Sequence, residues 1–487
     1  MSSSAPSSNA VNIVVPPQPP LRFMKPINSF LLITCVVSSC NVGPRFVKPQ
    51  PKMPADFASR AGATRAAEVD AAWWRKLNDT TLNELVALAD TQNKDLNASR
   101  SRLLEARALW RESRFNYAPT VTFGSTYENT RNGATSFSGL RTRDFELYRT
   151  GFDADWELDF FGRIRSSVKA TKATSGAMDA NLHDLLISLQ SEIAINYLEL
   201  RGAQAQLSVA NENAGNQSDA LHIAEASLKG GRGTQLDVAR ANALWNATLA
   251  QIPTHQENIA KSIHRIAVLC GQNPSELRPR LQSSKKQPAV PAQIGIVKPE
   301  ELLRRRPDIR VAENILAAET ARVGVAVADL FPRVTFNGRI GFEAATLSYM
   351  TDRSNPDGFS FGPRITWAAF NLGRVRQQIA AAGRRADTAL ARYEQTVLLA
   401  LEEAENALTS YDRERVRLHH LEASATSARE AATLARKRYQ DGIADFLTVL
   451  DAERVALNAQ NDIVLSRTRV ATAWVRIYKA MGGGWNG

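Results

Sequence analysis

The sequence predicts an α+β membrane protein with an internal two-fold repeat, each half carrying a β-hairpin and a very long helix. Three observations predict it. Matching motifs recur at a nearly constant spacing, two long stretches contain no proline, and four short segments alternate apolar with polar residues.

The repeat is the firmest of the three. Asp95 and Asp308 stand 213 residues apart, as do Pro119 in YAPTVTF and Pro332 in LFPRVTF. Trp156 and Gly162 in WELDFFGRIR answer Trp367 and Gly373 in WAAFNLGRVR at a spacing of 211, which Gly231 and Gly442, and Leu236 and Leu447, share. The change of two falls between Phe123 and Trp156, where a hairpin loop absorbs it.

Taken in order, residues 1–39 read as an extension and a lipoprotein signal. Met24 and Lys25 precede an apolar run from Phe30 to Val37 and then Ser38, Ser39 and Cys40. That run is too short to span a bilayer permanently. VVSSC resembles a lipobox, which would make Cys40 the lipidated first residue of the mature chain, and Asn41 is not the aspartate that holds enterobacterial lipoproteins at the inner membrane. Residues 40–117 form a lipid-anchored segment and the first helices, and 118–158 the first hairpin. Residues 159–280 carry a long helix, a glycine turn and a returning helix. A linker and helix follow at 281–330, the second hairpin at 331–370, and the second long helix, turn and helix at 371–487.

Val334, Phe336, Ile340 and Phe342 share one face of a strand, with Thr335, Asn337 and Arg339 on the other. Phe359, Phe361, Ile365 and Trp367 alternate in the same way with Ser360, Gly362, Arg364 and Thr366. Strands of about ten residues suit an outer-membrane barrel, one face toward lipid and one toward a polar lumen. No later segment offers a helix apolar enough to cross a bilayer. Four strands cannot close a barrel, since about eight is the smallest number that does, so several copies must assemble.

Arg163 to Lys229 and Arg374 to Tyr439 each read as one helix of roughly 100 Å at about 1.5 Å per residue. Val397, Leu401, Ala404, Leu408, Tyr411 and Leu418 trace a coiled-coil seam, and Leu182, Leu186, Leu189, Ile193 and Leu200 trace its counterpart.

Composition excludes other classes. The net charge of +11 comes from 60 basic residues scattered among 49 acids, with no basic cluster interleaved with aromatics, so nucleic acid is not the partner. Of three cysteines, Cys35 and Cys40 lie in the signal and Cys270 is left alone, so there is no disulfide framework. The six histidines show no metal-ligand spacing, LKGGRGTQ lacks a P-loop lysine, and no serine sits in a nucleophile elbow. Neither an enzyme nor a metal or soluble cofactor is expected. Trp73 and Trp74 read as packing residues rather than a ligand platform.

With these pieces in view, the chain resembles the TolC/OprM-type outer membrane factors, in particular the NodT-like efflux lipoproteins. The resemblance rests on CNVGPRFVKPQPKMPADF, AAWWRKLNDTTLNELV, LLRRRPDIRVAE, LFPRVTF, RYQDGIADFLTVLDAER and IYKAMGGGW, which together span nearly all of the mature chain. It implies a homotrimer whose four strands per chain close a twelve-stranded barrel, continued by an α-helical barrel across the periplasm. It also implies an exit duct for small molecules in a tripartite pump, working with a periplasmic adaptor and an inner-membrane transporter of the RND type.

For single residues, it implies that the turns at Gly231 and Gly442 form the periplasmic tip and that Leu447 and Asp451, one helical turn apart, narrow the aperture. Tyr439 and Asp237 match a tyrosine and aspartate that restrain the closed tip. Thr448 and Ala444 depart from TolC, which has an acid and an arginine there, so a second restraint is missing. A duct for type I protein secretion and a non-porous lipid-anchored helical scaffold remain the alternatives.

Overall fold

The structure, a computed structural model, describes residues 42–59, 64–66, 70–131, 144–291, 293–350 and 357–485. The signal-like segment and Cys40 lie outside them. In chain order the elements are β1 (Thr64–Ala66), α1 (Thr80–Gln92), α2 (Lys94–Phe115), β2 (Thr120–Arg131), β3 (Asp144–Leu158), α3 (Arg163–Lys229), α4 (Gln235–Leu249), α5 (Gln251–Leu269) and α6 (Arg278–Leu281). There follow β4 (Ile294–Ile296), α7 (Pro299–Arg305), α8 (Pro307–Ala328), β5 (Arg333–Ala344), β6 (Asp357–Thr366), α9 (Leu372–Gln440) and α10 (Phe446–Ala480).

The four longer strands make one antiparallel sheet in the order β2-β3-β5-β6. Directly paired residues point to the same side, so the register sorts the side chains into two faces. Phe123 pairs with Phe152, Phe152 with Ile340, and Ile340 with Phe359, an unbroken aromatic and aliphatic row. These side chains are exposed although they are large and apolar. The opposite face carries Arg149 paired with Glu343 at 3.1 Å, Arg339 beside Asp153 at 3.9 Å, and Asn337 bonded to Asp155. Across that polar face Gly124, Gly151, Gly341 and Gly358 pair in a straight line. A Cβ on Gly151 would lie 2.7 Å from the Gly341 Cα, so the two inner strands meet there with no room for side chains.

Each strand pair is bolted to its helices by the same bond. The Trp156 indole N–H donates to the Tyr117 carbonyl at 3.0 Å, and that of Trp367 to the Leu330 carbonyl at 2.9 Å. The donors are 211 residues apart and the acceptors 213, the two offsets of the repeat.

The long helices run where the sequence places them. α3 has 67 residues and α9 has 69, each about 100 Å at about 1.5 Å per residue. Asp159 starts α3 by accepting from the amides of Ile164 and Arg165 at 3.0 and 2.9 Å, orphan donors that would otherwise go unpaired. The seam residues Val397, Ala404, Leu408 and Tyr411 are buried, as are Leu189, Ile193 and Leu200 on α3.

The returning helices of the two repeats differ. α10 runs unbroken for 35 residues, whereas its counterpart is interrupted at Ala250 between α4 and α5. Pro253 is the cause: it has no N–H to give Leu249, and its ring crowds that carbonyl. The sequence also gave no sign of the parallel pairing of β1 with β4, two strands of three residues each.

Halfway along α3 lies the main core, where Trp73, Leu82, Leu85, Tyr197, Leu200, Cys270, Ile294, Tyr411, Trp474 and Tyr478 meet. Trp73 stacks on Tyr478 with ring centres 5.6 Å apart and meets Trp474 edge-on at 5.7 Å, so it is a packing residue. Cys270 is fully buried, and burial pushes its thiol up to about 12. Arg306 ties three helices together: its guanidinium reaches Asp308 at 2.8 Å, Glu403 at 2.7 Å and the Ala480 carbonyl at 2.9 Å.

Two outcomes follow. A Cβ on Gly202 would fall 2.9 Å from the Thr468 Cγ2 where α3 crosses α10, so Gly202→Ala lowers unfolding free energy by about 1–3 kcal/mol, less in a Thr468→Ala background. Chemical denaturation of the four proteins measures this. Asp184 is held above its ordinary 3.8 by burial first and by Asp308 second. The folded state then binds the proton more tightly than the unfolded chain, so stability falls as pH rises from 3.8 through the folded value and stays lower above it. Asp184→Asn raises the melting temperature at pH 7, by an amount that shrinks as the pH approaches 3.8.

Candidate functional site

Both glycine turns lie at the end of the molecule farthest from the sheet. Gly231 has φ of +73° and Gly442 of +75°, the left-handed region that side chains with a Cβ disfavour. Each closes its long helix with the same pair of bonds. The Gly231 amide donates to Leu228 at 3.0 Å and that of Arg232 to Ser227 at 2.9 Å. The Gly442 amide donates to Tyr439 at 3.0 Å and that of Ile443 to Arg438 at 2.9 Å. This is the Schellman arrangement, which satisfies carbonyls at a helix end. The next helices are capped at once: Thr234 and Asp237 form a capping box on α4, and Asp445 accepts from the Thr448 amide at 2.9 Å on α10. The Thr448 bonds hold the Asp445 carboxyl below its ordinary value.

A small cluster joins the two tips. Ala220, Leu221 and Ala224 of α3, Ala241 of α4, and Phe446 and Leu450 of α10 are buried together, with Tyr439 packed against them. Burial of Phe446, Val449 and Leu450 fixes the rotation of α10, and Leu447 and Asp451 are consequently turned outward and exposed. Asp451 does not stand alone there. Arg454 reaches its carboxylate at 2.6 Å, one turn further along the same helix.

Of the residues singled out from the sequence, Leu447 and Asp451 therefore share one outward face. Tyr439 and Asp237 are not joined within the chain. The Tyr439 hydroxyl donates to the Ser227 Oγ at 3.1 Å, while Asp237 is engaged by the Thr234 amide and hydroxyl at 3.0 and 2.7 Å. The capping box holds Asp237 locally, leaving the tyrosine to the nearer hydroxyl. Sequence reasoning passed over Arg454, although DAER places it three residues after Asp451. It also passed over Glu453, a buried carboxylate that Arg436 of α9 reaches at 2.5 Å. Cys40 falls outside the described residues.

At the opposite end, the exposed row of the sheet is the other candidate surface. Val121, Phe123, Tyr127, Phe152, Trp156, Phe336, Ile340, Phe342, Phe359, Phe361 and Ile365 all point one way, and a contiguous apolar surface of that extent marks a membrane or an interface. Among the described residues no helix is long and apolar enough to cross a membrane.

Replacing Gly442 with Val puts a branched side chain at φ of +75° and costs roughly 1–2 kcal/mol. Local amide exchange at the α9–α10 turn rises first, while exchange at the Trp474 core stays unchanged.

Comparison with known proteins agrees with this geometry. Nodulation protein T of Rhizobium leguminosarum bv. trifolii is 29% identical over 470 residues, covering 96% of this chain and 98% of that protein. The toluene efflux pump outer membrane protein TtgF of Pseudomonas putida is 28% identical over 476 residues, 94% of this chain and 96% of its own. Among solved structures, the outer-membrane channel OprN superposes with a TM-score of 0.87 at 40% identity, over 92% of this chain and 100% of its own. The sequence signature of outer membrane efflux proteins matches twice, over residues 85–272 and 299–483, once for each repeat. With most of its length accounted for in this way, the chain belongs to the outer membrane efflux protein family.

Proposed function

We propose that three copies of this outer-membrane efflux channel form the exit duct of a tripartite pump, passing small molecules that an RND-type inner-membrane transporter and a periplasmic adaptor deliver. The observation that carries the reading is the sheet: one face exposes a continuous apolar row, and among the described residues the outer edges of β2 and β6 have no partner strand. In hydrocarbon an unpaired backbone amide costs several kcal/mol, so the edges must be closed by other copies. Three chains of four strands give the twelve-stranded barrel, with the Arg149, Glu343, Arg339 and Asp153 face lining the lumen. The long helices continue the wall about 100 Å into the periplasm. The toluene-efflux relative supports small-molecule cargo, and the duct itself catalyses no reaction.

At the tip, Leu447 and Asp451 of three copies form an apolar ring and a carboxylate ring. Bare carboxylates so placed would repel one another and attract cations. Arg454 beside each Asp451 offsets that repulsion, so the closed ring consists of ion pairs. Tyr439 and Asp237 restrain the tip within and beside each hairpin. A lipid on Cys40 would add a second attachment to the membrane, at about 0.8 kcal/mol per buried methylene.

Single-channel recording in planar bilayers tests the aperture. Wild-type trimers pass little current at rest, Asp451→Ala raises conductance, and Arg454→Ala raises both conductance and cation selectivity; currents unchanged in both variants remove the pair from the aperture. Palmitate labelling lost in Cys40→Ser supports lipidation, and labelling that persists overturns it.

A further inference from the structure

Where α3 passes the main core, its two sides meet different surroundings. Tyr197, Arg201 and Gln204 face the equatorial segments. The tyrosine hydroxyl donates to Asp79 at 2.7 Å, the guanidinium to the Ser283 carbonyl at 2.9 Å and the amide to the Leu281 carbonyl at 2.8 Å. Residues two positions further along a helix point about 200° round from these, so Glu199, Ala203 and Gln206 face the other way.

On that side α3 forms the bottom of a trough of about 410 Å³ between α5 and α10. Asn258, Lys261 and Arg265 of α5 line one bank from a single helix face, while Ile259, Ile263 and Ile266 of the same helix are buried in the core. The floor is tight and apolar, made by Gly202, Ala203 and Leu465, with Gly202 too close to Thr468 for a side chain. In a trimeric duct the equatorial segments cannot occupy the lumen without plugging it, so they lie outside and the trough opens inward. This placement rests on the duct reading.

The charges in the trough are unequally committed. Lys261 reaches Glu257 at 2.7 Å, and the Arg265 Nε donates to Glu192 at 2.8 Å. Glu199, among the described residues, has neither a hydrogen bond nor an ion pair, and Arg476 of α10 acts on it only from beyond ion-pair distance. The surrounding wall strips water from the Glu199 carboxyl and holds it above its ordinary 4.5, against the opposing pull of Arg476. Neutral groups lean the same way. The Asn196 and Gln206 amides each spend a donor, on the Glu192 carbonyl at 2.8 Å and on Asn461 at 3.1 Å, and no described residue donates to their oxygens. Acceptors are thus left unmet, whereas the cations already have partners.

We propose that this trough binds protonated organic amines from the solute stream, with the ammonium on Glu199 and the neighbouring amide oxygens and the hydrocarbon body on the floor of Gly202, Ala203 and Leu465. A bare divalent ion would find a single carboxylate there, too few ligands to hold it. An organic anion would have to displace Glu257 or Glu192 from the lysine or the arginine. Three copies set three such stations round one level of the lumen, each open enough to release what it holds, as conduction requires.

Fluorine NMR of the full-length protein in detergent tests the site, with para-fluorobenzylamine as the probe and para-fluorobenzyl alcohol and para-fluorobenzoate as its neutral and anionic counterparts. The amine is expected to bind more tightly than either counterpart. Glu199→Gln weakens the amine about ten-fold and leaves the alcohol unchanged. Ser262→Trp, which fills the trough from α5, abolishes binding of both. Equal affinity of the wild type and Glu199→Gln for the amine overturns the site. Preference for the benzoate does so too, and would assign the trough to anions through Lys261 and Arg265. Current through Asp451→Ala channels in planar bilayers separates the site from the duct reading: the amine is expected to lower it, and to lower it less once Glu199→Gln is added. Binding without any reduction of current overturns the lumenal placement. Channels that never conduct overturn the duct reading, and with it the lumenal role, whatever the NMR shows.

Discussion

A peptide group in hydrocarbon has no water to turn to, and the rest of this architecture answers to that. The chain places a four-stranded sheet with one apolar face at the membrane and, among the described residues, leaves the outer edges of β2 and β6 without a partner strand. No rearrangement of one chain removes those edges. Association is therefore built into the topology rather than added by a sticky surface.

Between sheet and tip the cohesive material is distributed unevenly. The equatorial core gathers aromatic rings from the N-terminal segment, α3, α9 and α10, and Arg306 secures α8, α9 and α10 with charged hydrogen bonds. The tip cluster is small and rests on alanines, with Leu221, Phe446 and Leu450 as its large members. Regions with few buried apolar contacts open at lower free energy than the core. The tip can thus change shape while the middle of the long helices keeps its form.

Much of this could be read from the chain, because a duplication displays each signal twice. The ends of α3 coincide with the stretch from Arg163 to Lys229, and the alternation of Val334, Thr335 and Phe336 gives the correct faces of β5. What escaped notice depends on contacts that one strand of text does not encode. β1 and β4 are three residues each, too short for any period to emerge. The break at Ala250 had a visible cause in Pro253, yet its counterpart in the other repeat continues, so the repeat itself argued against it. Asp237 and Tyr439 could be matched by position, but whether they touch depends on competitors such as Thr234 and Ser227, which only geometry ranks.

The glycine line across the polar face has unequal members. A methyl group on Gly151 or Gly341 would collide with the backbone of the adjacent strand, whereas within its own chain each of Gly124 and Gly358 has open space where one would stand. Divergence can therefore decorate the flanks of this bare band and alter what a passing solute brushes against, while its centre stays a strip of naked amides. Permeation properties can drift at the margins without the wall having to be rebuilt.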